Sequence, residues 1–408
     1  QRATGRCSVR HVKRCCLAFL LVSGLMVMVA IGEVKAAEWS VVPSMGVQGV
    51  YNDNLLLTPF PHQETYGFWL SPGAEFAGKT ERLEVGGRAA ADFVSYYGGQ
   101  NSSFTNIHLP ITMRYKTETD QLAFTGGFVR DNTLMGELLT TGVVLRFTQR
   151  NQWNLYPSWS RNLTEKLSLQ SSFQFVDTTY ENGLGLSLVD YQLIGGTGGL
   201  SYQLTERDLV QLTGSYAGFR TTNSPSPFRA NFPGANLALN HAFTETLSGS
   251  LYGGPRFVNT TTAVSGETVE THDTVWLFGA NVAKKFDNGS VQVTVARDIV
   301  PSGFGLLIQT DRVGLSGSYS FSETVAGSLD TVGFITSAPT KAASGAAFPE
   351  TRFVNITPKI SWKFLEWWKV ELSYTYRWRD VETFPNPATS NGTMAMLTYY
   401  PPKLAISH

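Results

Sequence analysis

Apolar and polar side chains alternate along most of the chain, in short segments separated by polar turns. Residues 200–219 are representative: alternation stops at a polar Thr-Glu-Arg-Asp group and then resumes. This pattern predicts two antiparallel strands joined by a tight turn. Seven similar turns occur at Lys79-Thr80-Glu81-Arg82, Thr117-Glu118-Thr119-Asp120, Leu163-Thr164-Glu165-Lys166, Thr244-Glu245-Thr246, Phe286-Asp287-Asn288-Gly289, Phe321-Ser322-Glu323-Thr324 and Phe364-Leu365-Glu366-Trp367.

The number of turns predicts the number of strands. Eight turns join sixteen strands, and one alternating segment precedes them at 39–51 and another follows them at 393–400. The sum is eighteen strands in one antiparallel, all-β sheet. The alternative total is sixteen. The stretch at 138–161 is a separate open point, because it reads as one long strand from about Arg146 with an extended lead-in but also allows two strands.

The two faces of the strands differ in polarity. In residues 107–116 and 370–379 the apolar side chains alternate with charged or hydroxyl side chains. A water-soluble sheet shows the same alternation. Here, however, short turns lie on one side and long Gly-, Pro- and Ser-rich connections on the other, with rings near strand ends, which is typical of outer-membrane barrels. Hydrocarbon leaves backbone groups without partners, so the predicted fold is a closed transmembrane β-barrel in a bacterial (Gram-negative) outer membrane.

The N-terminal region predicts export. Five basic residues precede an apolar run at 17–31, and Val34-Lys35-Ala36 resembles a signal peptidase site. We therefore expect a cleavable signal peptide at 1–36, a barrel at 37–403 and a short tail at 404–408, with a single membrane anchor as the alternative for the first segment. The three cysteines lie at or before position 16, so no disulfide or thiol site is expected after cleavage.

Composition supports a membrane barrel and argues against nucleic acid as a partner. Charged residues make up 16% of the chain and aromatic residues 12%. Removal of residues 1–36 lowers the basic residues from 32 to 26 and the acidic residues from 32 to 31, so the remaining chain is about five units negative. A nucleic-acid-binding protein would carry the opposite charge.

A barrel of this size encloses an aqueous lumen unless loops fill it. The polar face of the strands supplies the candidate pore-lining residues, and paired charges that merely keep the lumen wet are the alternative interpretation. The candidates are Glu84, Arg88, Asp92, His108, Arg114, Arg146, Arg150, Lys359, Lys363, Glu371, Arg377 and Arg379.

Catalytic chemistry finds little support in the sequence. HExxH, GxSxG and paired-histidine motifs are absent from the sequence, so we expect no enzyme activity, no cofactor and no metal. The weaker alternative is a barrel hydrolase that uses His108, although its strand offers no adjacent serine at a useful spacing.

Several motifs resemble the beta-barrel porin type 2 family, whose members include outer-membrane proteins of exopolysaccharide and PEP-CTERM clusters. The motifs are Tyr51-Asn52-Asp53-Asn54, Ser71-Pro72-Gly73, Arg297-Asp298-Ile299-Val300-Pro301-Ser302-Gly303-Phe304-Gly305 and Gln309-Thr310-Asp311-Arg312. The resemblance implies a lipid-embedded channel that exports a polysaccharide together with a periplasmic polysaccharide-export protein. A general diffusion porin for small solutes shares every barrel feature and is the main alternative.

The third motif is expected to shape a loop at a strand end. Pro301, Ser302 and Gly303 predict a fixed turn, and the Arg297-Asp298 pair either lines the pore or clamps that loop. We expect clamping.

Overall fold

The computed structural model describes residues 38–99, 101–138, 142, 147–264, 267–339 and 349–407, which form one antiparallel sheet. Two short helical turns, α1 (Thr133–Gly136) and a 3₁₀ turn (Gly183–Leu186), lie in connections, and no helix among these residues is long and apolar enough to cross a membrane. The strand segments are β1 (Glu38–Asn52), β2 (Thr65–Lys79), β3 (Leu83–Gly98), β4 (Ser102–Lys116), β5 (Asp120–Asn132), β6 (Gln149–Asn162), β7 (Leu167–Tyr180), β8 (Asp190–Gln203), β9 (Asp208–Asn223), β10 (Phe228–Asn231), β11 (Gly234–Ala242), β12 (Leu247–Val264), β13 (Glu267–Phe286), β14 (Gly289–Pro301), β15 (Leu307–Ser320), β16 (Val325–Ser337), β17 (Thr351–Leu365), β18 (Trp368–Val381), β19 (Ala388–Tyr399) and β20 (Leu404–Ser407).

The sheet is closed, with eighteen spanning strands. The first strand, β1, pairs with β2 on one side and with β19 on the other. Segments β10 and β11 both lie between β9 and β12 and form one interrupted strand. Similarly, β20 continues β19 along β1, so residues 404–407, where the sequence predicts a tail, extend the sheet. The twenty segments therefore give the eighteen strands that the sequence predicts.

Cross-strand register keeps apolar side chains on the outside. Leu397, Val47, Leu70 and Phe93 follow one another as directly opposed pairs from β19 to β3, and all four are exposed. Directly opposed residues place their side chains on the same face of a sheet. The outer face therefore presents a continuous apolar band, whose stable surroundings are hydrocarbon.

The short turns share one hydrogen-bond pattern. In six of them the Oγ of a Thr or Ser accepts a hydrogen bond from the backbone N–H three residues later, at 2.9–3.1 Å. These hydroxyls replace partners that the turn backbone would otherwise lack, which explains why Thr-Glu recurs at one end of the barrel. The six residues are Thr80, Thr117, Thr164, Thr205, Thr244 and Ser322.

The stretch at 138–161 contains one strand. Strand β6 begins at Gln149, and the connection from β5 to β6 contains α1. The single-strand interpretation of this stretch agrees with the structure, with a start three residues later than the sequence suggests. Arg146 lies outside the described residues.

Side chains at the loop end pack inside the barrel, in two apolar clusters. One contains Leu57, Leu134 and Leu138, and the other contains Leu188 and Leu307, all of them buried. The apolar core of this protein thus lies in the outer half of the lumen, where residues of the long connections meet inward-facing residues of the strands.

Candidate functional site

The polar face predicted from the sequence lies inside the barrel. Eleven of the twelve candidate pore-lining residues occupy inward-facing strand positions; the twelfth, Arg146, is outside the described residues. Their register can be followed through opposed pairs such as Glu84 with Arg114 and Lys359 with Ser373. Whether these side chains line a conducting path stays a prediction.

Near the short-turn end the inward charges pair with one another. Glu371 Oε1 lies 3.6 Å from Lys359 Nζ and 3.2 Å from Lys369 Nζ. Glu84 lies 3.3 Å from Lys79 Nζ and 3.9 Å from Arg114 Nη1. Exposed ion pairs of this kind contribute little to stability. These groups therefore fit the interpretation in which paired charges keep the lumen hydrated.

A connection between β5 and β6 crosses the outer half of the lumen. Leu134 and Leu138 pack in one cluster with Tyr96 on β3 and with Phe334 and Phe353 on β16 and β17. Residues 133–138 and 142, called here the crossing segment, therefore reach the opposite wall. Its far end is held by Arg379 on β18, whose Nη1 donates a hydrogen bond to the carbonyl oxygen of Gly142 at 3.0 Å.

A buried carboxylate fixes the crossing segment to a second loop. Glu137 is 3% exposed; its Oε1 accepts a hydrogen bond from the Tyr180 hydroxyl, and its Oε2 accepts one from the backbone N–H of Gly303 at 3.3 Å. We call these three residues the Glu137 latch. Burial raises the pKa of the Glu137 carboxyl, and the Tyr180 donor opposes that shift.

Beside the latch, Arg150 and Asp131 form a two-pronged ion pair. Arg150 Nε and Nη2 donate to the two carboxylate oxygens of Asp131 at 2.9 and 2.7 Å, and both side chains are largely buried. Arg150, which the sequence suggests as a pore-lining residue, is thus held at the base of the crossing segment between β5 and β6.

The loop motif occupies the other side of the outer lumen. Phe304 and Leu306 pack against the second cluster, which includes Tyr191, Phe219 and Val258. Gly305 has a φ of +77°, and a Cβ there would collide with Val189. This position therefore requires glycine, because other residues rarely adopt that conformation.

The Arg297-Asp298 pair is split between the two faces of the sheet. Arg297 points outward, where Nε and Nη2 donate to Asp311 at 2.5 and 2.8 Å and the guanidinium lies 5.2 Å from the Phe278 ring centroid. Asp298 points inward and lies near Tyr252 and Arg256. Arg297 therefore clamps neighbouring strands rather than the loop itself.

Three inward-facing arginines form no direct ion pair with any described residue. In the described part of the chain, Arg256, Arg312 and Arg377 form no ion pair within 4.0 Å. Arg377 Nε donates to Asn355 Oδ1 at 3.1 Å, and Arg312 lies 5.6 Å from the Phe334 ring centroid. Asp298 is a carboxylate that interacts with two of them, Arg256 and Arg312, so three positive charges face one negative charge in this set.

One of these arginines borders a polar recess in the wall. The recess has a volume of about 380 Å³ and places hydroxyl, amide, guanidinium and carboxylate groups around one space. Such a mixture can donate to and accept from a small polar solute. The inward side chains lining it are Tyr156, Ser158, Ser172, Gln174, Thr197, Ser215, Arg256 and Asp298.

The arrangement around His108 does not support a hydrolase triad. His108 Nε2 lies 3.5 Å from Asp92 Oδ2, and Ser71 hydrogen-bonds to the same carboxylate. A nucleophilic serine needs the imidazole between itself and the acid, whereas here the acid lies between the other two. Among the described residues no group of three His, Cys, Asp or Glu side chains could hold a metal ion.

The Tyr51-Asn52-Asp53-Asn54 motif closes the barrel at its seam. The Asp53 carboxylate accepts hydrogen bonds from the backbone N–H and the Nδ2 of Asn391 at 2.6 and 2.7 Å. Asn54 Nδ2 donates to the carbonyl oxygen of Thr389 at 2.9 Å. Asn52 Oδ1 accepts a hydrogen bond from the Ser390 hydroxyl at 3.0 Å, so three successive polar residues join the end of the first strand to the start of β19.

Sequence reasoning missed the Glu137 latch and the outward direction of Arg297 for different reasons. Glu137, Tyr180 and Gly303 are far apart in the chain, so no local pattern links them. The outward direction of Arg297 had a local signal, because it continues the alternation of the outward-facing Val291, Val293 and Val295.

The fold matches solved structures of other bacterial proteins over nearly their whole length. Acinetobacter baumannii OccAB3 is 12% identical, with 90% of this chain and 99% of that chain covered and a TM-score of 0.42. Pseudomonas aeruginosa OccK2 (OpdF), solved in complex with glucuronate, is 8% identical over 91% and 98%, with a TM-score of 0.45. Pseudomonas aeruginosa OccK7 (OpdD) is 10% identical over 92% and 100%, with a TM-score of 0.44.

The closed eighteen-strand sheet and its apolar outer band make the protein a membrane-spanning β-barrel, the architecture typical of bacterial outer membranes. No family model matches the chain, and no curated protein matches it.

The expectation of a polysaccharide-export channel is wrong. Among the matched structures, OccK2 (OpdF) is solved in complex with glucuronate, a single sugar acid, and the matches give no support for a polymer or for a periplasmic export partner. The crossing segment gives a physical reason, since it fills part of the outer lumen that a hydrated polymer would need. The resemblance to the type 2 family rested on short motifs. One of them, at 51–54, closes the seam of the sheet and carries no information about the transported solute.

Proposed function

We propose that the barrel is a diffusion channel for small polar solutes, with a preference for anionic ones. The crossing segment and the loop motif narrow the outer half of the lumen, so only small solutes fit between them. The proposal includes no enzymatic step. Membership of the type 2 porin family, without the export role, is part of the same proposal.

The observation that carries the anion preference is a set of three lumenal arginines, which form no direct ion pair within the described ranges and have one carboxylate, Asp298, near two of them. Arg256, Arg312 and Arg377 stand on three different parts of the wall, on β12, β15 and β18. A fixed positive charge in a confined polar passage raises the local concentration of anions and lowers that of cations. Asp298 lies near Arg256 and Arg312 and offsets part of their charge, so the three arginines together leave an excess of positive charge whose field extends into the lumen.

Reversal potentials in planar bilayers test the preference. Under a KCl gradient the wild-type barrel should show a reversal potential of the sign for chloride selectivity. The R256Q/R312Q/R377Q variant should shift towards zero or cation selectivity, because three positive charges are removed while Asp298 remains, at little change in side-chain shape.

A matched control changes charges that are already paired. K359Q/K369Q/E371Q removes two positive charges and one negative charge at the short-turn end of the lumen, where each lysine has its carboxylate partner. It should move the reversal potential much less. An unchanged potential in the arginine variant would refute the anion preference, and absence of any conductance in the wild type would refute the channel.

A further inference from the structure

Two neighbouring arginines lie on the outer face of the barrel, at the loop end. Arg220 on β9 is directly opposite Arg229 on β10, and both side chains are exposed. They share the outward face with Leu212 and Tyr216, which precede Arg220 at even spacing. Because β9 starts at a short turn and ends at a longer connection, the pair lies at the level of the outer-leaflet headgroups.

The two guanidinium groups are not neutralised within the protein. In the described residues neither has a carboxylate within 4.0 Å. Arg220 Nε and Nη2 donate to Gln192 Oε1 at 3.0 and 2.6 Å, while Gln192 Nε2 donates to Asp177 Oδ1 at 2.7 Å. Like charges directly opposite each other destabilise a sheet, so this arrangement favours an anion supplied from outside.

A groove in the apolar band lies directly below the pair. Its volume is about 620 Å³, and Arg220 and Arg229 stand at its edge. The floor includes Gly196 and Gly218, which present no side chain, while the rings of Phe173 and Tyr216 belong to the same lining. The groove therefore joins a space of acyl-chain depth to a cationic site at headgroup depth.

We propose that Arg220 and Arg229 bind the phosphate of an outer-leaflet lipid whose acyl chain lies in this groove. Guanidinium groups match phosphate oxygens through paired N–H donors, which makes arginine suited to this contact. The proposed occupant is a phosphorylated, multiply acylated glycolipid, because its phosphate and chains would engage both parts of the site together. The inference depends on the outer-membrane location and not on what the lumen conducts.

Native mass spectrometry of the purified full chain in detergent tests the phosphate contact. The probe is diphosphoryl lipid A, compared with the same lipid after enzymatic removal of its phosphates. The R220Q/R229Q variant should bind the phosphorylated probe about tenfold more weakly than the wild type, since charge-assisted hydrogen bonds are lost. Both proteins should bind the dephosphorylated probe equally.

A matched control is R352Q. Arg352 also faces outward at the loop end, but it lies 2.9 Å from its partner Glu350. This variant should bind the phosphorylated probe like the wild type. An equal loss of binding in R352Q would show a general charge effect and would overturn the proposal. Two other results would also overturn it: R220Q/R229Q binding the phosphorylated probe as tightly as the wild type, or the wild type binding both probes with equal affinity.

Filling the groove tests the acyl-chain contact separately. G196V/G218V should weaken binding severalfold although both arginines remain, whereas G198V should not, because a Cβ at Gly198 meets no atom within 4 Å and this residue is not part of the groove. Each variant is first checked for the electrophoretic mobility of a folded barrel. Unaltered binding by a folded G196V/G218V barrel would show that the acyl chain does not lie in this groove.

Discussion

At the scale of single residues, the outer lumen depends on a few buried polar side chains. Glu137 and Asn54 are each less than 5% exposed, and each joins segments that are distant in the chain. Buried polar groups of this kind are costly when they lose a partner, because no water replaces the missing hydrogen bond. Their contribution should therefore be visible in single substitutions.

The Glu137 latch should respond to pH. Burial raises the pKa of Glu137 in the closed segment above the usual 4.5. At a pH between the usual pKa and the raised pKa, Glu137 keeps its proton when the segment is closed and loses it when the segment opens. The stability of the closed segment therefore falls as pH rises through that interval. Hydrogen exchange of residues 133–138, corrected for intrinsic rates, should show protection decreasing with pH in the wild type.

In E137Q this pH dependence should disappear, because glutamine does not titrate. E81Q, in a short turn at the other end of the barrel, serves as the control and should behave like the wild type. Identical pH profiles for the wild type and E137Q would show that another group governs the closure.

Asn54 provides a test of the seam. It donates to the carbonyl oxygens of Thr58 and Thr389 at 2.8 and 2.9 Å and accepts from the Thr58 N–H at 3.0 Å. N54A should lower the free energy of unfolding by about 2 kcal/mol, because two backbone carbonyls and one N–H lose their partner. Urea unfolding in lipid vesicles measures this change.

The control for Asn54 is N101A. Asn101 accepts one exposed hydrogen bond from the Gly98 N–H, so its loss should change the unfolding free energy far less. Equal effects of N54A and N101A would mean that the seam hydrogen bonds do not stabilise the closed barrel.

At the scale of elements, strands and turns could be predicted and the folded-in connections could not. The turn at Thr205 carries its own signal, since its hydroxyl bonds to a backbone N–H three residues later. Outward and inward positions follow from alternation alone. The crossing segment, by contrast, is placed by contacts with Phe334, Phe353 and Arg379, all about two hundred residues further along the chain. No local pattern encodes such partners.

Shortening the crossing segment should widen the passage. Replacing residues 134–147 by a short Gly-Ser linker removes Leu134 and Leu138 from the outer lumen, and the single-channel conductance should rise severalfold. Shortening the exposed connection at 224–227 is the control and should leave the conductance unchanged. Equal conductance for both variants would show that the crossing segment does not limit the flow of ions.

At the scale of the whole molecule, the closed sheet decides location and the inner contents decide function. The count of eighteen strands could be reached from sequence because every turn has a local signal. Cargo could not be inferred in the same way: the short motifs that suggested polysaccharide export describe the seam and one loop of the wall. Function instead depends on how much of the lumen stays open and which charges remain there, and both follow from long-range packing.

Solute entry into proteoliposomes tests the central claim most directly. Vesicles that contain the purified barrel should admit monosaccharides and small sugar acids, with the acids entering faster than neutral sugars of equal size, while a polysaccharide of several thousand daltons stays outside. Entry of the polymer at a comparable rate, or exclusion of every small solute by a correctly folded barrel, would contradict the account.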